Sequence, residues 1–212
     1  MASTDPGLRE AQRRQARTES RREREFYEYY DALEHLSDKV PQYVDITDPA
    51  ALQRHVPVSS PDKALSAFCQ LGAVQLRAKR GLLFFFNQTH AFILAEATPT
   101  LSLQDHSRHK DELWMGYSKI DRSWSVCEWT IQLKRTRVDG DETSDQLPLN
   151  IIPDLKGTQQ FCTYPYVIDA PRMRFYAGCP IVSRGINIGA FCVLDDEVRP
   201  GLSEQEKTFL RE

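Results

Sequence analysis

Cysteine has the clearest chemical potential in this chain, because a thiolate can act as a nucleophile or bind a metal. No two of the cysteines have the spacing of a zinc ribbon or a redox pair, so neither a disulfide framework nor a zinc site is indicated. No arginine or histidine adjoins the cysteines at positions 127 and 162, so the cationic neighbours that activate a catalytic thiol are missing from the local sequence. The five cysteines are placed singly, at Cys69, Cys127, Cys162, Cys179 and Cys192.

Two polar loops contain side chains of the types that bind metals. Asp105–Glu112 holds His106 and His109 between acidic residues, but no predicted helix places the two imidazoles on one face. Asp139–Asp145 has acidic residues at alternate positions, as a calcium loop does, yet Ser144 stands where such a loop needs glycine and the closing bidentate glutamate is missing. We interpret both segments as solvated loops and predict no metal site.

The overall composition is that of an ordinary soluble domain. Of the 212 residues, 41% are hydrophobic and 27% are charged, which suits one domain with tails. The formal net charge of −3 gives no electrostatic reason to expect a nucleic-acid or membrane partner. No run approaches the roughly 20 apolar residues that span a bilayer, and the N-terminal segment lacks the apolar core of a secretory signal. These features predict a cytoplasmic protein.

The chain divides by composition into three parts. Residues 1–25 carry seven arginines against five acidic residues and almost no apolar side chains. This segment is predicted to be a frayed helix or a disordered arm, since little surface is available to offset its ordering entropy. Residues 26–59 begin with an amphipathic helix near 26–38 and continue as an extended connector between prolines. Residues 60–212 hold the mixed helix and strand patterns of one domain.

Two helices of this domain are indicated by capping residues and by apolar periodicity. The first should cover 60–79, with Ser60 as its N-cap. The second should begin at Ser203, because Ser203 and Glu206 have the spacing of a capping box. No helix-ending signal follows, so we expect the second helix to continue beyond Glu212.

Two pairs of neighbouring strands are predicted. Two apolar runs flank the polar turn Asn87–His90, which is typical of a β-hairpin. A second pair, Phe175–Val182 and Ile188–Leu194, is joined by a tight turn at Gly185. Strands next to capped helices indicate an α/β fold in which helices cover one face of a small sheet.

Several segments resemble a known family. IIPDL, FYAGCPIVSRGINIGAFCVLDD and GLSEQE are similar, in order and spacing, to the last three strands and the final helix of GAF domains, and the resemblance covers about residues 60–212. REFYEYYDAL, SSPDKALSAFCQLGA, LAEATPTLSLQ, DELWMGYSKIDR and VCEW resemble a narrower group, the GAF modules near the N terminus of fungal hybrid sensor histidine kinases. The resemblance implies a GAF/PAS-like central antiparallel sheet of about six strands, with helices on one face and a pocket with loops on the other.

The resemblance also implies which residues surround that pocket. Aromatic walls with a few polar groups are typical of small-molecule sites, but aromatic side chains also fill cores, so the pocket is either a ligand site or packed shut. No cofactor can be named, and covalent bilin attachment is not expected because the chain has no adjacent Cys-His pair. The candidate ligand-binding residues are Trp124, Cys127, Trp129, Asp154, Phe161, Cys162, Tyr164, Tyr166 and Asp169.

Three functions remain open at this stage. The first is a non-catalytic sensory module, the input domain of a phosphorelay protein, which acts as a homodimer and signals to domains that follow Glu212. The second is a thiol enzyme similar to free methionine sulfoxide reductases, using Cys127 or Cys162, although the segment after Cys162 lacks that group's Cys-Asp pair and later Ser-Glu. The third is a structural dimerisation domain with a filled pocket. Kinase chemistry is not expected, because nothing resembles a phosphoacceptor helix, a nucleotide lid or a receiver aspartate.

Overall fold

The computed structural model describes residues 6–35, 43–104, 113–134 and 146–212. Helices and strands alternate along these residues, with a 3-10 turn at Arg122–Trp124 before the fourth helix. The helices are α1 (Pro6–His35), α2 (Pro49–Arg54), α3 (Lys63–Gln75), α4 (Cys127–Ile131), α5 (Pro165–Ile168) and α6 (Glu204–Arg211). The strands are β1 (Val44–Asp45), β2 (Arg80–Phe86), β3 (His90–Ala97), β4 (Ser118–Asp121), β5 (Asn150–Ile152), β6 (Phe175–Ser183) and β7 (Ile186–Asp195).

The strands form one sheet of seven in the order β1-β4-β3-β2-β7-β6-β5. Only the two-residue edge strand β1 runs parallel to its neighbour β4, and the other pairs are antiparallel. The predicted α/β fold class with a central antiparallel sheet is therefore confirmed, with one strand more than expected. The segment that was predicted as an extended connector contains the short edge strand β1.

The centre of the sheet is formed by the two predicted hairpins. β6 and β7 pair antiparallel through Phe175↔Asp195 to Ser183↔Ile186, and β2 pairs with both β3 and β7. β2 is buried along its whole length, in agreement with its continuous apolar run. A Cβ at Gly189 would lie 2.2 Å from the carbonyl oxygen of Phe84, so the close approach of β2 and β7 requires glycine there.

The helix starts show where local signals succeeded. Ser203 accepts a hydrogen bond from the Glu206 N–H at 3.3 Å, and the Glu206 carboxylate accepts one from the Ser203 N–H at 2.8 Å, so the predicted capping box is confirmed. The predicted cap of the other helix is wrong. Asp62, not Ser60, caps α3, because its carboxylate accepts hydrogen bonds from two N–H groups of the first turn.

Two apolar clusters lie on opposite faces of the sheet. The cluster under α1, α3 and α6 contains Phe26, Leu76, Phe85 and Phe191. The cluster on the other face lies under α2, α4, α5 and the loops between them. The alternation of side chains along β2 divides its phenylalanines between these two clusters, since successive residues of a strand point to opposite faces.

The N-terminal segment, expected to be a frayed helix or a disordered arm, is helical from Pro6 and contacts the rest of the domain. Residues 6–25 and the following amphipathic turns form the single helix α1, so the expected boundary at residue 25 does not divide the structure. Arg22 is only 2% exposed, and its Nε donates to the carbonyl oxygen of Asn187 at 2.6 Å. Arg22 Nη1 also contacts Glu19 Oε1 at 2.5 Å. Charged residues dock this helix through hydrogen bonds that apolar periodicity cannot reveal.

The polar segment that follows β3 in the chain also contains a strand that its sequence did not indicate. It ends in the strand β4, which pairs with β3 from His90↔Asp121 to Ile93↔Ser118. Four residues are too few to show a clear alternation, so the pattern was missed. Among the described helices, none is long and apolar enough to cross a membrane.

Candidate functional site

A cavity of about 590 Å³ lies at the β1–β4 side of the sheet, on the face opposite α3 and α6. This volume is within the range of small-molecule sites. α2 and the segment after it form one wall, the loop before β4 a second, and the 3-10 turn with α5 a third. The lining side chains include Leu52, His55, Arg80, Trp114, Trp124 and Tyr166.

The aromatic wall of the cavity is held by specific contacts. The rings of Trp114 and Tyr166 lie 5.2 Å apart at an interplanar angle of 59°. The hydroxyl of Tyr166 donates to the carbonyl oxygen of Trp124 at 2.8 Å, which fixes α5 against the 3-10 turn. His55 Nε2 lies 2.6 Å from the carbonyl oxygen of Met115, and it must be the donor because a carbonyl only accepts. These contacts fix the positions of the side chains that surround the cavity.

The inner end of the cavity contains a buried ion pair. Arg80 at the start of β2 is 5% exposed and Glu96 on β3 is fully buried. Arg80 Nη1 contacts Glu96 Oε1 at 2.5 Å. In the register of the two strands Glu96 lies opposite Leu82, so Arg80, Leu82 and Glu96 share the cavity face of the sheet.

The same glutamate fixes the loop before β4. Its Oε1 accepts a hydrogen bond from the Trp114 N–H at 3.0 Å, and its Oε2 accepts from Met115 and Gly116 at 2.7 and 2.6 Å. Gly116 has a φ of +59°, which favours glycine and lets the loop turn its N–H groups toward the carboxylate. Glu96 therefore positions Trp114 at the cavity wall.

Three of the nine predicted ligand residues line this cavity: Trp124, Tyr166 and Asp169. Tyr166 is buried, and this burial raises its pKa well above the ordinary value, so the phenol stays neutral. Asp169 is exposed and lies at the rim. Ligand binding by these three residues stays a prediction, and the cavity that they line lies toward β1 and β4.

Two other predicted residues, Cys127 and Phe161, belong to the buried core instead. The Cys127 thiol lies 3.5 Å from the thiol of Cys192 and accepts a hydrogen bond from the Tyr176 hydroxyl at 3.2 Å. Tyr176 also contacts Thr130 Oγ1 at 2.5 Å. These four side chains form hydrogen bonds to one another and fill the space under α4.

The remaining predicted residues lie outside the cavity. Trp129 is 45% exposed and its ring contacts Phe161 edge-on. Tyr164 packs against the rings of Phe161 and Tyr166, so it supports the wall from behind. The Cys162 thiol lies 3.5 Å from the carbonyl oxygen of Gln159. None of these three is among the cavity's lining residues.

Asp154, the ninth predicted residue, has a structural partner. Arg174 Nε and Nη2 donate to its two oxygens at 2.8 and 2.9 Å, and the Lys156 N–H donates at 3.0 Å. The hydrogen bonds from Arg174 lower the pKa of Asp154 to about 2. The carboxylate therefore clamps the turn after β5 and is not oriented toward a ligand.

This clamp predicts an acid-labile contribution to stability. The folded-state pKa of about 2 lies below the ordinary value of 3.8, so the stabilisation is complete above pH 3.8 and is lost as the pH falls toward 2. Asp154→Asn should remove this part of the pH dependence of the melting temperature, and Arg174→Gln should remove the same part. Unchanged acid dependence in both variants would contradict the prediction.

The 3-10 turn of the cavity wall is also connected to α1. Arg122, whose side chain is 11% exposed, lies two residues before Trp124 and donates to Glu19 of α1 at 2.6 and 3.2 Å. It also binds Glu128 of α4 and the carbonyl oxygen of Asn87. Burial would raise the pKa of Glu19, but hydrogen bonds from Arg122 and Arg22 outweigh this and lower it. The glutamate is therefore charged in this network.

No cluster of three or more His, Cys, Asp or Glu side chains that could hold a metal ion occurs in the described part of the chain. The two candidate metal loops, Asp105–Glu112 and Asp139–Asp145, lie outside the described residues.

The residues at the polar end of the cavity, Arg80, Glu96 and Trp114, are not among the candidates that the sequence indicated. The available signal for this ion pair was the segment HAFILAEA, a mostly apolar strand that contains one glutamate. A charge at such a position requires a partner.

The structure is an α/β domain with a central, mainly antiparallel sheet, helices on one face and a cavity on the other. No protein-family model matches the chain. Over 113 residues, 52% of the chain, it is 31% identical to a cyclic di-GMP phosphodiesterase of Pseudomonas aeruginosa. The match spans only 17% of that protein's length, so it does not carry that protein's activity to this chain.

The chain is also similar to solved structures. The blue-light absorbing form of the PixJ GAF domain of Thermosynechococcus elongatus matches with a TM-score of 0.49 and 14% identity, over 71% of this chain and 78% of that one. The GAF domain of a phosphoenolpyruvate-protein phosphotransferase from Coxiella burnetii gives 0.47 and 13%, over 72% and 77%. A type II free methionine-R-sulfoxide reductase from Thermoplasma acidophilum gives 0.45 and 12%, over 70% and 82%. No activity of this chain follows from these likenesses.

Proposed function

We propose that this chain is a non-catalytic sensory module of the GAF kind, the input domain of a phosphorelay signalling protein such as a hybrid histidine kinase. The observation that carries the proposal is the cavity of about 590 Å³ with Trp114, Trp124 and Tyr166 in its wall. A space of this size with aromatic walls and few polar groups suits a small ligand. The resemblance to the GAF modules of fungal sensor kinases supports the phosphorelay context.

The route by which a bound ligand would act on the rest of the protein begins at the 3-10 turn. Trp124 lies in the cavity wall, and Arg122 of the same turn holds Glu19 of α1. A ligand that displaces Trp124 would change the geometry at Arg122 and shift the packing of α1. Ligands change conformational populations only through such differential contacts.

Binding itself is tested by thermal shift. Cyclic nucleotides, amino acids, bilins and haem form the first panel, and a ligand at a hundredfold excess over its Kd stabilises a protein by about 2.7 kcal/mol. Leu52→Trp, which places an indole in the cavity, should abolish the shift of any compound that binds there. A shift that persists in this variant would place that compound elsewhere and contradict the proposed site.

Transmission is tested by hydrogen exchange of α1 with and without a compound that binds. We expect the ligand to change amide protection around Glu19, and Arg122→Gln to remove this response while leaving binding in place. Arg184→Gln is the matched control, because Arg184 also pairs with α1, through Glu25 and Glu28, but lies in the turn between β6 and β7 and not in the 3-10 turn that carries Trp124. Equal responses in wild type and Arg122→Gln would contradict the proposed route.

The environment of the thiols supports the non-catalytic proposal over the reductase alternative. Cys127 lies in the core beside Cys192, and burial raises the pKa of the Cys192 thiol well above its ordinary value. Burial also raises the pKa of Cys179 to about 12. A nucleophilic thiol needs the opposite environment, with access and a lowered pKa.

A homodimer is part of the proposal. α3 contains no charged residue after Lys63, and Phe68, Leu71 and Val74 on it are about half exposed. A two-fold interface places the same surface on both subunits, so an uncharged apolar face can pack against its own copy without like-charge repulsion. We further propose a cytoplasmic setting with neither a nucleic-acid nor a membrane partner, as the charge of −3 suggested.

A further inference from the structure

One buried polar atom at the cavity has no partner within the described residues. Arg80 lines the cavity and is 5% exposed, yet its Nε donates no hydrogen bond to any described group. An unpaired buried N–H is destabilising, and such groups are rare in native structures. An acceptor from outside the described chain would remove this cost.

The ion pair with Glu96 does not occupy Arg80 fully. A carboxylate offers about four acceptor sites. Three hydrogen bonds to Glu96 come from backbone N–H groups and one comes from Arg80 Nη1. Most of the acceptor capacity of Glu96 is therefore used by the loop before β4. The hydrogen bond between Glu96 and Arg80 uses Arg80 Nη1, so Arg80 Nε can donate to another acceptor.

The other surroundings indicate which acceptor fits best. Hydrogen bonds between a guanidinium and a carboxylate are roughly twice as strong as those between neutral groups. Asp169, the acidic residue among those lining the cavity, lies exposed at the rim and is screened there by solvent. The walls beyond Arg80 are formed by the rings of Trp114, Trp124 and Tyr166, which suit a flat apolar body.

We propose that this cavity binds a small carboxylic acid with a flat apolar body. The carboxylate accepts a hydrogen bond from Arg80 Nε, and the body lies against the three aromatic side chains. This inference rests on the proposed function, since it names the ligand class of the same cavity. It assigns to Arg80 a ligand-binding role that an ion-pair role alone would not give.

The test compares three probes of nearly the same shape at pH 7: indole-3-acetate, indole-3-acetamide and tryptamine. They carry an anionic, a neutral and a cationic group on one ring system. Binding is followed by NMR from the indole N–H signals of Trp114 and Trp124. Trp129, the third tryptophan, is 45% exposed and does not line the cavity, so its signal is the internal reference.

We expect the acetate to shift the Trp114 and Trp124 signals and the Arg80 Nε–H signal, with a Kd at least tenfold lower than that of the amide. Tryptamine should bind more weakly still. Arg80→Lys keeps a positive charge near Glu96 but removes the Nε–H, and should raise the Kd for the acetate about tenfold or more. Arg174→Lys is the matched control and should leave the Kd unchanged, because Arg174 pairs with Asp154 away from the cavity.

The outcomes separate the two proposals. Equal binding of acetate and amide, or an acetate Kd unchanged in Arg80→Lys, would overturn the carboxylate proposal while leaving the sensory one intact. No shift of the Trp114 and Trp124 signals with these probes or with a fragment library would overturn both. If Arg80→Lys lowers the melting temperature too far for titration, the acetate–amide comparison and the Arg80 Nε–H signal in the wild type still decide.

Discussion

Replacing Glu96 with glutamine is expected to lower the free energy of unfolding by about 3–5 kcal/mol. Glu96 is fully buried and accepts from Arg80 and from three backbone N–H groups. The amide removes the negative charge and turns an NH₂ group toward donors. Arg80 is then left as a buried charge without compensation, and part of the loop before β4 loses its acceptor.

Urea unfolding of Glu96→Gln measures this effect. Glu204→Gln is the matched control and should leave the unfolding midpoint in place, because the Glu204 side chain is 83% exposed and only pairs with Lys207. The double variant Glu96→Leu with Arg80→Met should not recover the loss, because it removes the buried charge but leaves the N–H groups of Trp114, Met115 and Gly116 without their acceptor. A single variant as stable as wild type would show that solvent reaches Glu96.

Replacing Phe26 with alanine is expected to cost about 3–5 kcal/mol, the range for a buried phenylalanine. Phe26 is 0% exposed, and its ring lies 4.9 Å from Phe92 and 6.2 Å from Phe85. It is the apolar anchor that joins α1 to the sheet. If α1 detaches as a unit, the cost cannot exceed the docking free energy of the helix, and the amides of α1 lose protection before those of β2.

Urea unfolding with hydrogen exchange measures both quantities. Tyr27→Ala is the control on the same helix, because Tyr27 is 41% exposed, and should change stability by less than about 1 kcal/mol. Equal effects of the two substitutions would contradict the docked position of α1. Loss of sheet protection in step with α1 would show that the helix and the sheet unfold as one cooperative unit.

The parts of the fold that were predicted correctly rest on short-range signals. The strands β6 and β7, the hairpin of β2 and β3, and the capping box at Ser203 each depend on residues close together in sequence. A continuous apolar run, a polar turn and a Ser-x-x-Glu spacing act on the backbone within a few residues. Tertiary packing did not need to override them.

The candidate site was only partly predictable, because its residues meet through pairings distant in sequence. Trp124 and Tyr166, which line the cavity, were candidates through the resemblance to GAF domains, whereas Arg80 and Trp114 were not candidates. Their positions depend on Glu96, which joins the start of β2, the middle of the sheet and the loop before β4. Nothing local indicates that these three segments converge.

The sequence by itself determined the α/β class, the two central hairpins and the capped final helix, since periodicity and capping act over one or two turns of chain. Only the tertiary structure decided that the arginine-rich segment docks as α1, that Cys127 lies in the core, and that Arg80 faces a cavity. The physical reason is that buried polar groups are positioned by partners distant in sequence. Arg22 is held by the carbonyl oxygen of Asn187, and Glu96 is held by the N–H groups of the loop before β4. These partners meet only when the sheet has formed.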